Sequence, residues 1–195
     1  MKKTLIGLAF AASISSSLLA EDLYVGIDGF VSNGDFDYSV SGASIGNFSE
    51  SYDGKGFKLK FGSLLDYNLR LQGYYQNESM DNSDNSDNEV GFDLIKAFEV
   101  TSAFYPFLQA GVGYGWMKLD DEPGFVTDDS NINFVSMKVG AGLIYKITNN
   151  VEILGGVDWQ KRYWQDVKYV FGSQSMTLEV DNTSISYYAG LNYLF

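Results

Sequence analysis

Apolar and polar residues alternate one by one along most of this chain, in eight separate stretches. These run roughly over Leu23–Ser32, Gly54–Leu64, Asn68–Glu78, Glu89–Val100, Ala103–Leu119, Asn133–Ile147, Val151–Trp164 and Ser184–Phe195. Successive side chains of a strand point to opposite faces, so a period of two predicts strands with one apolar and one polar face. The sixth stretch is the most regular. Val135, Met137, Val139, Ala141, Leu143, Tyr145 and Ile147 share one face, with Ser136, Lys138, Gly140, Gly142 and Lys146 mostly on the other. In the fourth, Lys96 falls among the apolar residues Phe92, Leu94 and Phe98. Snorkelling of its ammonium to an interface is expected there, in preference to a bulge that switches the register.

The connectors alternate as well. Short joints near Leu65–Tyr67, Thr101–Ser102 and Thr148–Asn150 separate long polar connectors at about 33–53, 79–88, 120–132 and 165–183. Beyond the first 20 residues no apolar run reaches the about 18 residues of a membrane-spanning helix. Strand count, period and loop alternation together predict an all-β, eight-stranded antiparallel up-and-down transmembrane β-barrel.

A soluble barrel would alternate too, with its apolar face inside. The charges on the polar faces weigh against that arrangement. Asp28, Asp93, Glu152 and Asp158 are matched in number by Lys58, Lys60, Arg70 and Lys138, as expected for ion pairs in a narrow barrel interior. On a lipid-facing surface each such charge would cost about 2–4 kcal/mol. Outward aromatics fall in two groups, Tyr75, Tyr114, Trp116 and Trp159 towards the long loops and Phe104, Tyr145, Tyr193 and Phe195 towards the short turns. Two such groups are expected where a barrel crosses the two membrane interfaces.

Met1–Ala20 reads as a secretory signal: Lys2 and Lys3, an apolar core from Leu5 to Ile14, then Ser15–Ser17 and a cut after Ala20. An anchor helix is the competing reading, and the apolar core is short for it. The expected organisation is signal peptide 1–20 followed by one barrel domain, 21–195. Cleavage leaves 11 basic against 25 acidic residues, a net charge of −14, which argues against nucleic-acid binding. The chain holds no Cys and no His. Thiolate metal sites, disulfides and a lipoprotein anchor are therefore excluded, as is the usual general base.

The stretch Ala103-Phe-Tyr-Pro-Phe-Leu-Gln-Ala-Gly-Val-Gly-Tyr-Gly115 resembles the TPY-x-GAGxGYG strand of the small outer-membrane β-barrel family, which includes OmpA-like transmembrane domains and OmpX-like barrels. Gln109 stands where that family carries a small residue. The resemblance implies a location in the outer membrane of a Gram-negative-type bacterium. It also implies contact with outer-membrane lipids and lipopolysaccharide, and a terminal Tyr193-x-Phe195 read by the barrel-assembly machinery. No peptidoglycan-binding domain is expected after the barrel. Enzymes of similar size, such as lipid A deacylases and palmitoyltransferases, use a catalytic His that this chain lacks.

The long loops are expected to carry Asp35, Asp37, Glu50, Glu78, Asp81, Asp84, Asp87, Asp120, Asp121, Glu122, Asp128, Asp129, Asp166, Glu179 and Asp181, against Lys168 as their one base. The run Asp81–Asp87 lacks the turn glycine and bidentate glutamate of a calcium loop, so a solvated loop is the expectation. Lys118, Lys161 and Arg162 are placed near the outer rim as candidate contacts to lipopolysaccharide phosphates, or as interfacial snorkels. The glycines Gly111, Gly113 and Gly115 alternate at strand period with no helix following, so they are no dinucleotide fingerprint. No catalytic, cofactor or metal site is expected. The expected function is a structural or surface-interaction protein that presents acidic loops, to an extracellular ligand or surface not named by the sequence, on a side-chain-plugged barrel. The alternative is a narrow porin or small-solute channel.

Overall fold

In lipid every backbone N–H and C=O must find a partner within the protein, and a sheet achieves this by closing on itself. The computed structural model, which describes residues 23–41, 47–65, 68–81, 86–118, 131–171 and 174–195, shows that closure. Strands β1 (Leu23–Ser41), β2 (Phe48–Leu65), β3 (Leu69–Met80), β4 (Ser86–Ala97), β5 (Phe104–Lys118), β6 (Asn131–Lys146), β7 (Val151–Trp164) and β9 (Gln174–Leu194) form eight antiparallel staves. The seam joins β1 to β9, from Tyr24 opposite Leu194 up to Ser41 opposite Thr177. At its lower end the Phe195 N–H donates to the Leu23 carbonyl at 2.9 Å. The signal segment 1–20 lies outside the described residues.

Three features of the strands differ from the sequence expectation. A short ninth strand, β8 (Val167–Phe171), pairs with β9 alone and makes a hairpin above the barrel wall. Strands β1, β2 and β9 also run far into what the composition marks as loop: Phe36, Tyr38 and Val40 on β1 and Met176, Leu178 and Val180 on β9 continue the period of two among Ser, Asp and Thr, and the ladder carries β2 along with them. Asp35, Asp37, Glu50, Glu179 and Asp181 therefore sit on strands, not in loops. The third feature concerns Asp81–Asp87: Asp81 pairs with Lys55 at 2.7 Å, whereas Asp87 turns into the barrel. These two ends of the run serve different places, and residues 82–85 between them are outside the described part, as are Asp120–Asp129.

The apolar face is outside. Leu143 is exposed on the outer wall while Lys138 is 3 % exposed within. All eight of the outward aromatics named above lie on outward-facing positions, with Tyr114 and Trp159 towards the loop end and Tyr145 and Tyr193 towards the turns. Lys96 keeps an unbroken register, opposite Leu69 on β3 and Leu108 on β5, so no bulge intervenes and it stays on the outer face. The tight joint between β2 and β3 is eased by Asn68, whose φ of 58° is left-handed and tolerated by an Asn side chain.

Because the barrel is narrow, large inward side chains need small neighbours. Asp28 lies opposite Gly190, Asp93 opposite Gly111, and Asp158 opposite Gly140. A Cβ at Gly111 would run into the Asp93 carboxylate and come within 2.9 Å of Lys138 Cε. The orientation makes a direct prediction. Val139→Arg, on the outward face halfway along β6, should lower barrel stability by about 2–4 kcal/mol in lipid vesicles, read from the urea unfolding midpoint. A change below about 0.5 kcal/mol would place that position in water.

Candidate functional site in the barrel interior

Parity places the even-numbered residues of β1, β3 and β7, and the odd-numbered ones of β4, inside the barrel. From the turn end upward they form three tiers. In the lowest, Arg70 from β3 grips Glu152 of β7 with two hydrogen bonds, 2.7 and 3.0 Å. Its guanidinium stacks over Tyr24 at 5.7 Å, and Tyr24 donates to Gln72 at 2.9 Å, which in turn donates to Asp93 at 2.8 Å. The tier is thus linked directly to the one above.

In the middle tier Lys60 donates to Asp28 at 2.5 Å, Lys138 lies 2.9 Å from Asp93, and Lys58 lies 3.7 Å from Asp158. Gln109 donates to Asp158, so the residue that departs from the family motif is used inside the lumen. Lys138 also sits 3.6 Å from the centre of the Tyr74 ring. The sequence-selected interior charges Asp28, Lys58, Lys60, Arg70, Asp93, Lys138, Glu152 and Asp158 are thus all buried and fall into four ion pairs. Ile95, Phe107 and Ile144 pack beside these groups on the β4–β6 wall, with Phe30 and Tyr188. A cavity of about 20 Å³ remains between Lys60, Arg70, Phe107 and Tyr188, room for about one water.

The uppermost tier departs from the sequence assignment. Arg162 does not reach out towards lipopolysaccharide. It is 1 % exposed, and lies 2.5 Å from Glu78, 3.0 Å from Asp87 and 3.6 Å from Glu89. Glu78 and Asp87, assigned to loops, are its lumenal partners; Glu89 is a third that the sequence reading did not select. The signal was available in the period. Asp158 and Gln160 face inward on β7, so Arg162 must follow; Gln76 leads likewise to Glu78, and Asp93 back to Glu89 and Asp87. Assigning these positions to the interface broke a parity that the strands keep. Above Arg162 an aromatic lid of Phe36, Phe134 and Trp164 with Met80 covers the tier, Phe134 and Trp164 lying 4.5 Å apart.

Lys161, one residue away, does face outward; it lies 3.4 Å from Asp181 and 5.1 Å from the Tyr163 ring centre. Lys118 closes β5 opposite Asn131, and its side chain is outside the described part. Tyr193 and Phe195 are exposed at the turn end, their rings edge to face at 5.3 Å. Among the described residues, no group of three or more acidic side chains is arranged to hold a metal ion.

A closed barrel with an apolar exterior, aromatic belts and a charge-paired interior is a transmembrane β-barrel of the small outer-membrane class. Similar solved structures share that fold. The Neisserial surface protein A structure is 21 % identical over 89 % of this chain and 97 % of its own, with a TM-score of 0.62. OprG from Pseudomonas aeruginosa is 16 % identical over 90 % and 96 %, with a TM-score of 0.63. The N-terminal barrel domain of OprF from the same organism is 15 % identical over 90 % and 98 %, at 0.52. No protein-family model and no curated protein matches the sequence.

Removing Arg162 would leave three carboxylates buried without their cation. Arg162→Met is therefore expected to cost about 3–5 kcal/mol, whereas Lys161→Met should change stability by less than about 0.5 kcal/mol. Equal effects of the two variants on the urea midpoint would contradict the inward placement of Arg162.

Proposed function

We propose that this outer-membrane barrel is closed to general diffusion and acts in surface interaction, through the acidic sheet that β1, β2 and β9 raise at the loop end. The observation that carries this reading is the outer face of that sheet. Asp35, Asp37 and Asp53 stand there beside Glu179 and Asp181, and Asp37 lies directly opposite Asp181. Ser49 and Ser51 donate to Asp37 and Asp35 at 2.6 and 2.7 Å, fixing both carboxylates in the sheet. Like charges directly opposed across strands cost stability, and Lys161, 3.4 Å from Asp181, is the one described cation beside this pair. A cationic partner on the outside would offset that cost, with an affinity that falls as salt screens the charges. Recognition from a rigid strand platform also suits the habit of barrels, whose variable elements lie beyond the wall.

Supporting the closed state, two tiers of paired charges and an upper tier of three acids around Arg162 occupy the lumen under an aromatic lid. In the same reading the outer wall meets lipid, Lys161 reaches lipopolysaccharide phosphates at the rim, and Tyr193 with Phe195 engages the assembly machinery. No reacting group is assigned.

Two measurements test the proposal. Purified protein in planar bilayers should give no stable, large conductance. A variant with Asp35, Asp37 and Asp181 changed to Asn and Glu179 to Gln should bind a polylysine-coated surface about tenfold less than wild type at low salt, with the difference shrinking at high salt. If that variant binds as wild type does while a strain without the protein loses solute uptake, the channel reading replaces this one.

A further inference from the structure

The three tiers of the lumen differ in charge. The lower two carry four acids and four bases, each acid with its own cation. The upper tier sets Glu78, Asp87 and Glu89 against Arg162 alone, and none of the four is more than 1 % exposed. Burying ions without compensating charge is expensive, and a carboxyl so placed neutralises by taking up a proton.

The hydrogen bonds indicate which carboxyl. Glu89 accepts from Tyr74, from Ser136 at 2.8 Å and from Gln160 at 2.8 Å, so both oxygens are occupied by donors. Glu78 accepts from Ser32 on one oxygen and from Arg162 at 2.5 Å on the other. Asp87 accepts from Arg162 on Oδ2 at 3.0 Å, whereas its Oδ1 is buried and accepts from nothing. Asp87 also stands directly opposite Glu78 across the β3–β4 ladder, where two like charges repel. At this height the outward face mixes polar Asn77, Ser79 and Asn88 with the aromatics Phe57, Trp116 and Tyr163, so the tier stands at the outer membrane interface, at the loop end of the barrel.

We propose that Asp87 is a proton-binding site: the upper tier carries a proton on Asp87 that holds the loop end of the barrel closed, and alkaline pH loosens that end by removing it. The charged and titratable groups facing this site are Glu78 and Tyr74 from β3, Glu89 from β4, Arg162 from β7 and Tyr52 from β2. Lys138 of β6 lies beyond Tyr74 and is held by Asp93. A carboxyl protonated in the folded but not in the unfolded chain gives the folded state the extra proton. Its stabilisation is then full at low pH and is lost as pH rises.

The test uses the full barrel in lipid vesicles, with unfolding in urea followed by tryptophan fluorescence. For wild type the midpoint should fall between about pH 5 and about pH 9. Asp87→Asn, which copies the shape of the protonated acid, should stay at or above the wild-type low-pH midpoint and lose that fall. Glu89→Gln, which puts an amide among donors, should be weaker at every pH and keep the fall. Should Asp87→Asn fail to fold, the infrared spectrum of wild type at neutral pH decides. A protonated-carboxyl band that shifts out on alkalinisation supports the site, and its absence overturns it. A pH-independent wild-type midpoint would also overturn the proposal, as would an Asp87→Asn variant that keeps the fall. So would a midpoint raised by calcium, magnesium or sodium chloride in place of acid, since the occupant would then be a metal cation.

Discussion

Closure is the constraint on which the rest of this molecule depends. A strand edge left open in hydrocarbon would strand a row of backbone donors and acceptors, each costing several kcal/mol, so the first and last strands must meet. Here they do so over almost their whole length, from Tyr24–Leu194 to Ser41–Thr177. Once eight staves are closed, the diameter is set, and so is the interior: just wide enough for side chains to fill. Every inward position then becomes a packing problem with polar solutions, since the outer face has claimed the apolar ones.

The lumen solves that problem by pairing long with short across neighbouring strands. Asp28, Asp93 and Asp158 each lean over a glycine, and the space so made admits the lysine that each of them meets. Paired charges of this kind contribute little net stability over an apolar filling, because desolvation offsets most of the attraction. What they contribute is geometry. A shift of one strand by one residue would send Asp28 or Lys138 into lipid and bring Ile27 or Val139 into the charged interior, so the network penalises register errors heavily. Among the described residues these pairs surround a cavity of about 20 Å³ at mid-height, room for about one water.

The parts legible in the sequence are those where the period of two spans the membrane. Leu143 outside and Lys138 inside follow from alternation alone, as do the eight interior charges. Two kinds of position escaped. Arg162, Glu78 and Asp87 lie near strand ends, where a charged residue in an unaligned sequence looks the same whether it turns into the lumen or out to solvent. Their parity was continuous with Gln160, Gln76 and Asp93, and only the habit of reading rim charges as solvated concealed it. The extensions of β1, β2 and β9 escaped for another reason. Their many Ser, Asp and Asn residues look like loop, although Phe36, Tyr38 and Val40 on β1 and Met176, Leu178 and Val180 on β9 keep the period of two; only Ser49–Asp53 lacks an apolar face. Pairing with neighbours already anchored in the barrel wall makes them strand.

That last point ties the wall to the surface. An isolated polar hairpin is marginal in water, but one that continues a membrane-anchored ladder begins already aligned, its loop-closure entropy spent within the barrel. The β1–β9 seam therefore does two things at once. Below, it removes the edge that lipid cannot tolerate. Above, it carries the register of the wall out to Asp37 and Asp181, setting acids opposite each other that a flexible loop would let swing apart. The lid of Phe36 from β1, Phe134 from β6 and Trp164 from β7 lies at the junction, on the inner side of the wall. Phe36 alternates with Asp35 and Asp37 along β1, so the strand that presents these acids outward also supplies part of the cover of the Arg162 tier. The acidic surface and one part of the lid are thus opposite faces of the same strand, one that an unclosed sheet could not have extended so far.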